Sequence, residues 1–423
     1  MNSFLQKLTL IWKDPTLRKR LLFVAGALLV FRFLSTIPVP GIDTARLAAF
    51  FSGNQFLGLL DIFSGGGLSN LSIVMLGVGP YITASIIMQL LTMMSPRLKQ
   101  LYQEEGEAGR ARFAQYSRLI TVPLALVQSF AFLTLLEKQG VVPALSVFST
   151  ISNVVIITGG SVLLMWVGEL MTEFGIGNGT SLLIFAGIVA RLPQTLSQLL
   201  FSFDASQLPV YFAFLAVAVV IVFGVVFVTE AERPIPVTYA KRVRGNKVFG
   251  GVSTYLPLRV NQAGVIPIIF ALSILLFPQM IATFLSAFGS PLLLHIASFL
   301  TAVFGNPWVY ASLYFILVLL FTYFYTAVTF DPDQIAENLQ KNGAFIPGVR
   351  PGVSTSEHIS HVLVRITLVG AVFLALVAVL PLAMRGATGN ASLAIGGTAL
   401  LIVVSVVLDF IKKIDAQVSM REY

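Results

Sequence analysis

Cationic side chains hold most of the chemistry available to this 423-residue chain, because the usual nucleophiles and metal ligands are scarce. Cys is absent, which excludes disulfides, thiol catalysis and Cys-ligated metal sites, and three scattered His residues offer no ligand cluster. No GxxxxGK[ST] phosphate loop occurs, and no nucleophile is paired with a base that would activate it. The sequence therefore predicts no catalytic residue, no metal and no cofactor; the expectation is a protein that is not an enzyme.

Two basic segments are shaped to bind something. From Thr229 the chain runs extended through Pro234-Ile235-Pro236, turns at Lys241, Arg242, Arg244 and Lys247, and returns through Ser253-Thr254-Tyr255-Leu256-Pro257-Leu258, which reads as a basic hairpin. Such a tip attracts RNA or an acidic protein surface; the same charges would also serve simply to fix membrane topology and touch anionic lipid. Further on, Asp331 to Gly343 reads as a short capped helix. The following Phe345-Ile346-Pro347-Gly348-Val349-Arg350-Pro351-Gly352 is a tight excursion with Arg350 at its apex. A guanidinium on a stiff turn suits a partner's carboxylates or phosphates, the alternative being an ordinary solvated Arg. A third segment, Gly58 to Asn70, is half apolar, Gly-rich and too short to span a bilayer. It fits a re-entrant helix on a Gly hinge that fills a cavity and moves out of it, and equally a Gly-rich extracytoplasmic loop.

The elements that must position these segments are set by composition. Hydrophobic residues make up 56% of the chain and charged residues 11%, with a mean hydropathy of +0.88, so one water-solvated core cannot hide them. Apolar runs near the bilayer length fall at about 21–37, 71–92, 116–136, 151–170, 180–200, 210–229, 264–285, 308–329, 362–383 and 391–411. The first is expected to be a retained helix rather than a signal peptide, since it ends at Ile37-Pro38-Val39-Pro40 without a small-residue cleavage site. Basic residues sort by loop. Lys7, Lys13, Arg18, Lys19 and Arg20 share one side with Arg97, Lys99, Arg110, Arg112, the basic hairpin, Lys341, Arg350, Lys412, Lys413 and Arg421, against Arg46, Lys138, Arg191 and Arg385 on the other. Both termini are therefore expected in the cytoplasm. The fourth loop breaks this pattern, with Glu169 and Glu173 and no basic residue.

Arg32 stands out as a charge inside a span, read as a snorkelling or packing cation, and no Asp or Glu lies near a predicted midplane. That absence weighs against an ion-coupled secondary transporter, the competing class, and a pore-less membrane scaffold is a third. Ten spans divide into two sets of five, which an odd number forces into opposite orientations if they are repeats. The expected organisation is an all-α polytopic membrane protein. It comprises a cytoplasmic arm (1–20), a first half (21–200), a second half (201–411) with cytoplasmic loops at about 230–262 and 330–361, and a cytoplasmic tail (412–423).

Seven motifs in order along this frame resemble the SecY family. They are Ile37-Pro38-Val39-Pro40-Gly41-Ile42-Asp43, Phe63-Ser64-Gly65-Gly66, Pro80 to Leu91, Gly175-Ile176-Gly177-Asn178-Gly179, Ser253 to Asn261, Gly343 to Gly352, and Gly396-Gly397-Thr398. The long basic hairpin is closer to the bacterial pattern. The resemblance implies a channel for unfolded polypeptides in the bacterial cytoplasmic membrane, with two inverted five-helix halves around an hourglass pore. By the flanking motifs its apolar ring would be Val78, Ile82, Thr180, Ile184, Ile269 and Ile402, with Thr180 the departure from an all-apolar ring. Its re-entrant plug would be Leu60, Asp61, Ile62, Phe63, Ser64, Gly65, Gly66, Gly67 and Leu68, within a stretch reaching about Asn70. A lateral gate that releases membrane segments to lipid would involve Thr83 and Phe277. Lys241, Arg242, Arg244, Lys247 and Arg350 would dock the motor ATPase SecA or a translating ribosome. The implied partners are the small subunits SecE and SecG, secretory and membrane-protein clients with signal sequences, and the lipid bilayer.

Overall fold

Helices end where the sequence supplies caps, and the first shows how. Asp14 caps α1 (Pro15–Leu34), its carboxylate accepting from the N–H groups of Thr16 at 2.8 Å and Leu17 at 3.4 Å, with Pro15 at a position where no N–H is needed. In this computed structural model the described residues are 13–40, 64, 66–68, 70–103, 105–138, 140, 142–143, 145–190, 193, 197, 208–239, 242–244, 247–249, 253–286, 290–388 and 391–422. After α1 come α2 (Gly79–Met94), α3 (Pro96–Gln103), α4 (Gly106–Lys138), α5 (Val147–Phe174), α6 (Gly179–Val189) and α7 (Leu208–Glu230). Strands β1 (Glu232–Tyr239), β2 (Arg242–Arg244), β3 (Lys247–Phe249) and β4 (Ser253–Arg259) follow. The chain then forms α8 (Ile266–Ser286), α9 (Pro291–Gly305), α10 (Pro307–Thr329), α11 (Pro332–Lys341), β5 (Ala344–Phe345), α12 (Val353–Thr388) and α13 (Ala391–Glu422).

Among the described residues each expected apolar run overlaps a helix, but several boundaries move. α1 starts six residues early, so Arg32 falls in its last turn, where a cation complements the helix dipole, and not at mid-span. Its Nη1 lies 3.5 Å from Ser35 Oγ. The run at 71–92 becomes helical only at Gly79, because residues 71–78 form a chain of turns with Leu71 at φ 41° and Gly77 at φ 57°. At about 1.5 Å per residue, the 36 residues of α12 and 32 of α13 outrun a hydrocarbon core of about 30 Å. The expected tail is therefore a direct helical continuation of α13. The apolar helix α9 was not foreseen; its 15 residues separate α8 from α10.

Among the described residues, four stretches are long and apolar enough to cross a membrane by length and composition: Gly106–Glu137, Val147–Phe174, Pro307–Lys341 and Val353–Leu380. Leu29, Leu119, Ile151, Phe223 and Ile316 are each more than half exposed on their helices, a surface that hydrocarbon solvates and water does not. Inside, helices approach through small and hydroxylated residues, as where Ser129 Oγ of α4 and Thr158 Oγ1 of α5 share a hydrogen bond of 3.2 Å.

β1 pairs with β4 in a long antiparallel hairpin, and β5 joins the other edge of β1, Thr238 opposite Phe345 and Tyr239 opposite Ala344. The hairpin's outer part is a second ribbon, β2 with β3. Ile235, Val237, Leu258 and Ala344 on one sheet face pack with Ile346 and with Ile359 of α12.

Candidate functional site

The centre of the helical body is one continuous apolar cluster drawing side chains from α1, α2, α5, α6, α7, α8, α10, α12 and α13. Five of the six expected ring residues meet there: Val78 immediately before α2, Ile82 on α2, Ile184 on α6, Ile269 on α8 and Ile402 on α13, all buried. Thr180, the sixth, is polar, so it is not one of that cluster's apolar side chains. On α6 it is half-buried and faces α5, its Oγ1 3.4 Å from where a Cβ on Gly168 would stand. One turn of helix separates Thr180 from Ile184, and the tight α5–α6 reversal brings the start of α6 against α5.

That reversal explains the Gly175-Ile176-Gly177-Asn178-Gly179 motif. Gly177 has φ 93°, a region open to glycine, and a Cβ on Gly179 would stand 2.0 Å from the Gly168 carbonyl oxygen. Asn178 then caps α6 through a 3.1 Å bond from Ser181 N–H. Ile184 is placed by this geometry, not by its own packing alone.

The described part of the expected plug, Ser64, Gly66, Gly67 and Leu68, is a packed turn. Ser64 Oγ accepts from Leu68 N–H at 3.0 Å and the Ser64 carbonyl from Gly67 N–H at 3.2 Å. Leu68 is fully buried in a second cluster with Leu71, Met75, Phe132, Leu133 and Ile157. A Cβ on Gly67 would stand 2.8 Å from Ser72 Oγ, so at this position the missing side chain permits close packing. Leu60, Asp61, Ile62, Phe63 and Gly65 lie outside the described residues.

At the expected gate, α8 touches both α2 and α4. Thr83 is buried on α2, with its hydroxyl donating to the Gly79 carbonyl at 3.0 Å. Phe277 lies on α8 beside Pro278, which interrupts that helix's hydrogen-bond ladder.

The basic segments form one body, a feature sequence reasoning missed. Arg242, Arg244 and Lys247 sit on the β2–β3 ribbon, with Arg244 opposite Lys247; Lys241 is outside the described residues. α11 is capped as expected, Asp331 accepting from Asp333 N–H at 3.0 Å and Gln334 N–H at 3.3 Å. Ser356 Oγ of α12 bonds Asp333, and Arg350 is exposed on the turn between β5 and α12, its carbonyl accepting from Thr355 Oγ1 at 2.8 Å. Through β5 this turn is tied to the outer end of the β1–β4 pair. Alternation in β1 would have flagged a sheet, but no signal marks a two-residue strand as its third member.

Two ion pairs also join distant segments. Arg118 Nε of α4 meets Glu169 Oε1 of α5 at 2.7 Å, which gives the acidic fourth loop its missing counter-charge. Lys412 Nζ of α13 meets Glu230 Oε1 at the end of α7 at 2.8 Å.

Lipid-solvated helices around a shared apolar centre, with a polar sheet built between two of the loops, define a multi-pass membrane protein with the fold of a channel. The chain belongs to the SecY family of protein translocase subunits, whose family model matches residues 72–411. It is 40% identical over 455 aligned residues to the protein translocase subunit SecY of Mycobacterium tuberculosis, covering 100% of this chain and 99% of that protein. With the same subunit of Synechococcus elongatus the identity is 45%, covering 96% and 93%. Among solved structures, a protein conducting channel superposes with a TM-score of 0.67 at 21% identity, covering 96% of this chain and 93% of that one. Sec61 in the canine ribosome-channel complex gives 0.63 at 20% identity over the same shares.

Proposed function

We propose that this chain is the pore-forming subunit through which unfolded polypeptides cross the bacterial cytoplasmic membrane, and from which transmembrane segments leave sideways into lipid. The observation that carries the pore reading is the meeting of Val78, Ile82 and Ile184 from the first half with Ile269 and Ile402 from the second in one buried apolar cluster. Branched apolar groups at a narrow waist exclude water and ions, yet part around an extended chain because nothing covalent or ionic holds them. Ten spans in two inverted halves, 21–200 and 201–411, place that waist at the interface between repeats. Both termini then face the cytoplasm, in keeping with the basic loops.

On this reading the segment from about Leu60 to Asn70 stops the pore from outside, and the seam of α2 and α4 against α8 and α10 is the lateral gate, with Thr83 and Phe277 along it. The hairpin cations and Arg350 dock SecA or a ribosome; that two solved structures of this fold are of ribosome complexes supports the ribosome as a partner. SecE and SecG complete the assembly. The chain has no catalytic group of its own, and hydrolysis in those partners drives movement. Single cysteines at Ile82, Ile184, Ile269 and Ile402 test the pore directly, since the chain has no native Cys. A stalled secretory chain crosslinks to all four; crosslinks confined to one half of the protein would overturn the reading.

A further inference from the structure

The connection between α1 and α2 has its two ends tied together. Val39 N–H donates to the Leu71 carbonyl at 2.8 Å and Ile73 N–H to the Ile37 carbonyl at 3.0 Å, with Pro38 opposite Ser72 in an isolated antiparallel bridge. The second strand of this bridge is also wedged from behind. A Cβ on Gly160 of α5 would stand 2.0 Å from the Ile73 carbonyl oxygen, so the backbones of α5 and of this segment touch with no room for a side chain. On the near side Leu68 and Leu71 are fully buried.

We infer that Ile37–Val39 and Leu71–Val78 form a permanent clasp, which stays closed while the channel opens, so that movement of the stopper ends at Asn70. Releasing the clasp would break two backbone hydrogen bonds and expose Leu71, whereas movement that ends at Asn70 leaves these contacts made. The clasp also carries Val78, so a fixed root holds one ring residue in register while the stopper leaves. The inference rests on the plug reading above.

The bridge offers a direct test. Pro38 and Ser72 are a non-hydrogen-bonded antiparallel pair, whose Cα atoms lie about 4.5 Å apart in such ladders, within disulfide range. In proteoliposomes with the partner subunits and SecA, Pro38→Cys/Ser72→Cys should oxidise to one intramolecular disulfide. It should then transport a secretory substrate at the same rate oxidised or reduced. Failure to crosslink, or transport blocked on oxidation and restored by reductant, overturns the clasp. Gly160→Val, which pushes Ile73 away, should make the idle channel leak ions, and the oxidised pair on that background should reseal it; a tight Gly160→Val channel of normal abundance also overturns it. Deleting Leu60–Asn70 tests the plug reading separately: a leak supports it, and a tight membrane removes it whatever the disulfide does.

Discussion

Leu71 holds a conformation that a leucine ordinarily avoids. Its φ of 41° is left-handed and costs an L-residue about 1 kcal/mol or more, while its side chain is fully buried beside Leu68 and Met75. Packing outweighs the backbone, since a buried Leu→Ala change costs about 2–5 kcal/mol. Leu71→Ala keeps the strain and loses the packing, whereas Leu71→Gly loses the packing and the strain together. Thermal unfolding in detergent should therefore find the Gly variant no less stable than the Ala variant, against the usual order. The Arg118–Glu169 pair is a contrasting case: with side chains 46% and 18% exposed, it is worth about 1 kcal/mol or less. A double-mutant cycle with Arg118→Gln and Glu169→Gln should return a coupling of that size, and a value several-fold larger would mean the pair is dry. Arg350→Glu belongs at this scale too. SecA-driven transport should be abolished while the protein stays in the membrane at normal abundance, and normal transport would remove Arg350 from docking.

Among the elements, helix cores were readable and their surroundings were not. Among the described residues, apolar runs identified the long helices because hydropathy reports the lipid-solvated part of a segment. It is blind to polar continuations such as residues 412–422 of α13 or the first ten residues of α4. The hairpin and the Asp331 cap were legible for a different reason, since turn and cap chemistry is local. β5 was not, because its pairing to Thr238 and Tyr239 spans about a hundred residues and involves only two. Thr180 was placed by motif spacing alone, and no signal in the sequence foretold its contact with Gly168 of α5. That contact rests on Gly179. Gly179→Ala should force α5 and α6 apart, costing about 1–3 kcal/mol as overpacking does, and should reduce crosslinking of a stalled chain to Ile184→Cys more than to Ile269→Cys.

The whole molecule is held across its expected halves at the end where the basic loops gather. Leu17 at the base of α1, Ile176 in the α5–α6 reversal and Val418 near the end of α13 form a small buried cluster, and Lys412 pairs with Glu230 nearby. Removing residues 412–423 should lower the unfolding temperature by several degrees and leave the membrane tight when idle, because the proposed pore ring is untouched. A leak in that variant would show that the last helix also sets the ring.

The sheet has a mechanical meaning as well. β1 leaves α7 directly, with Ala231 N–H on Phe227 and Val260 N–H on Ala231, and β4 leads within seven residues into α8, which bears Ile269 and Phe277. Eight strand residues make an arm about 27 Å long, stiffened on one side by β5 and on its inner face by α12. A bound partner pulling on the tip thus works a lever whose fulcrum is the sheet root and whose short end is α8. The stroke at the waist would be smaller than the stroke at the tip and the force correspondingly larger.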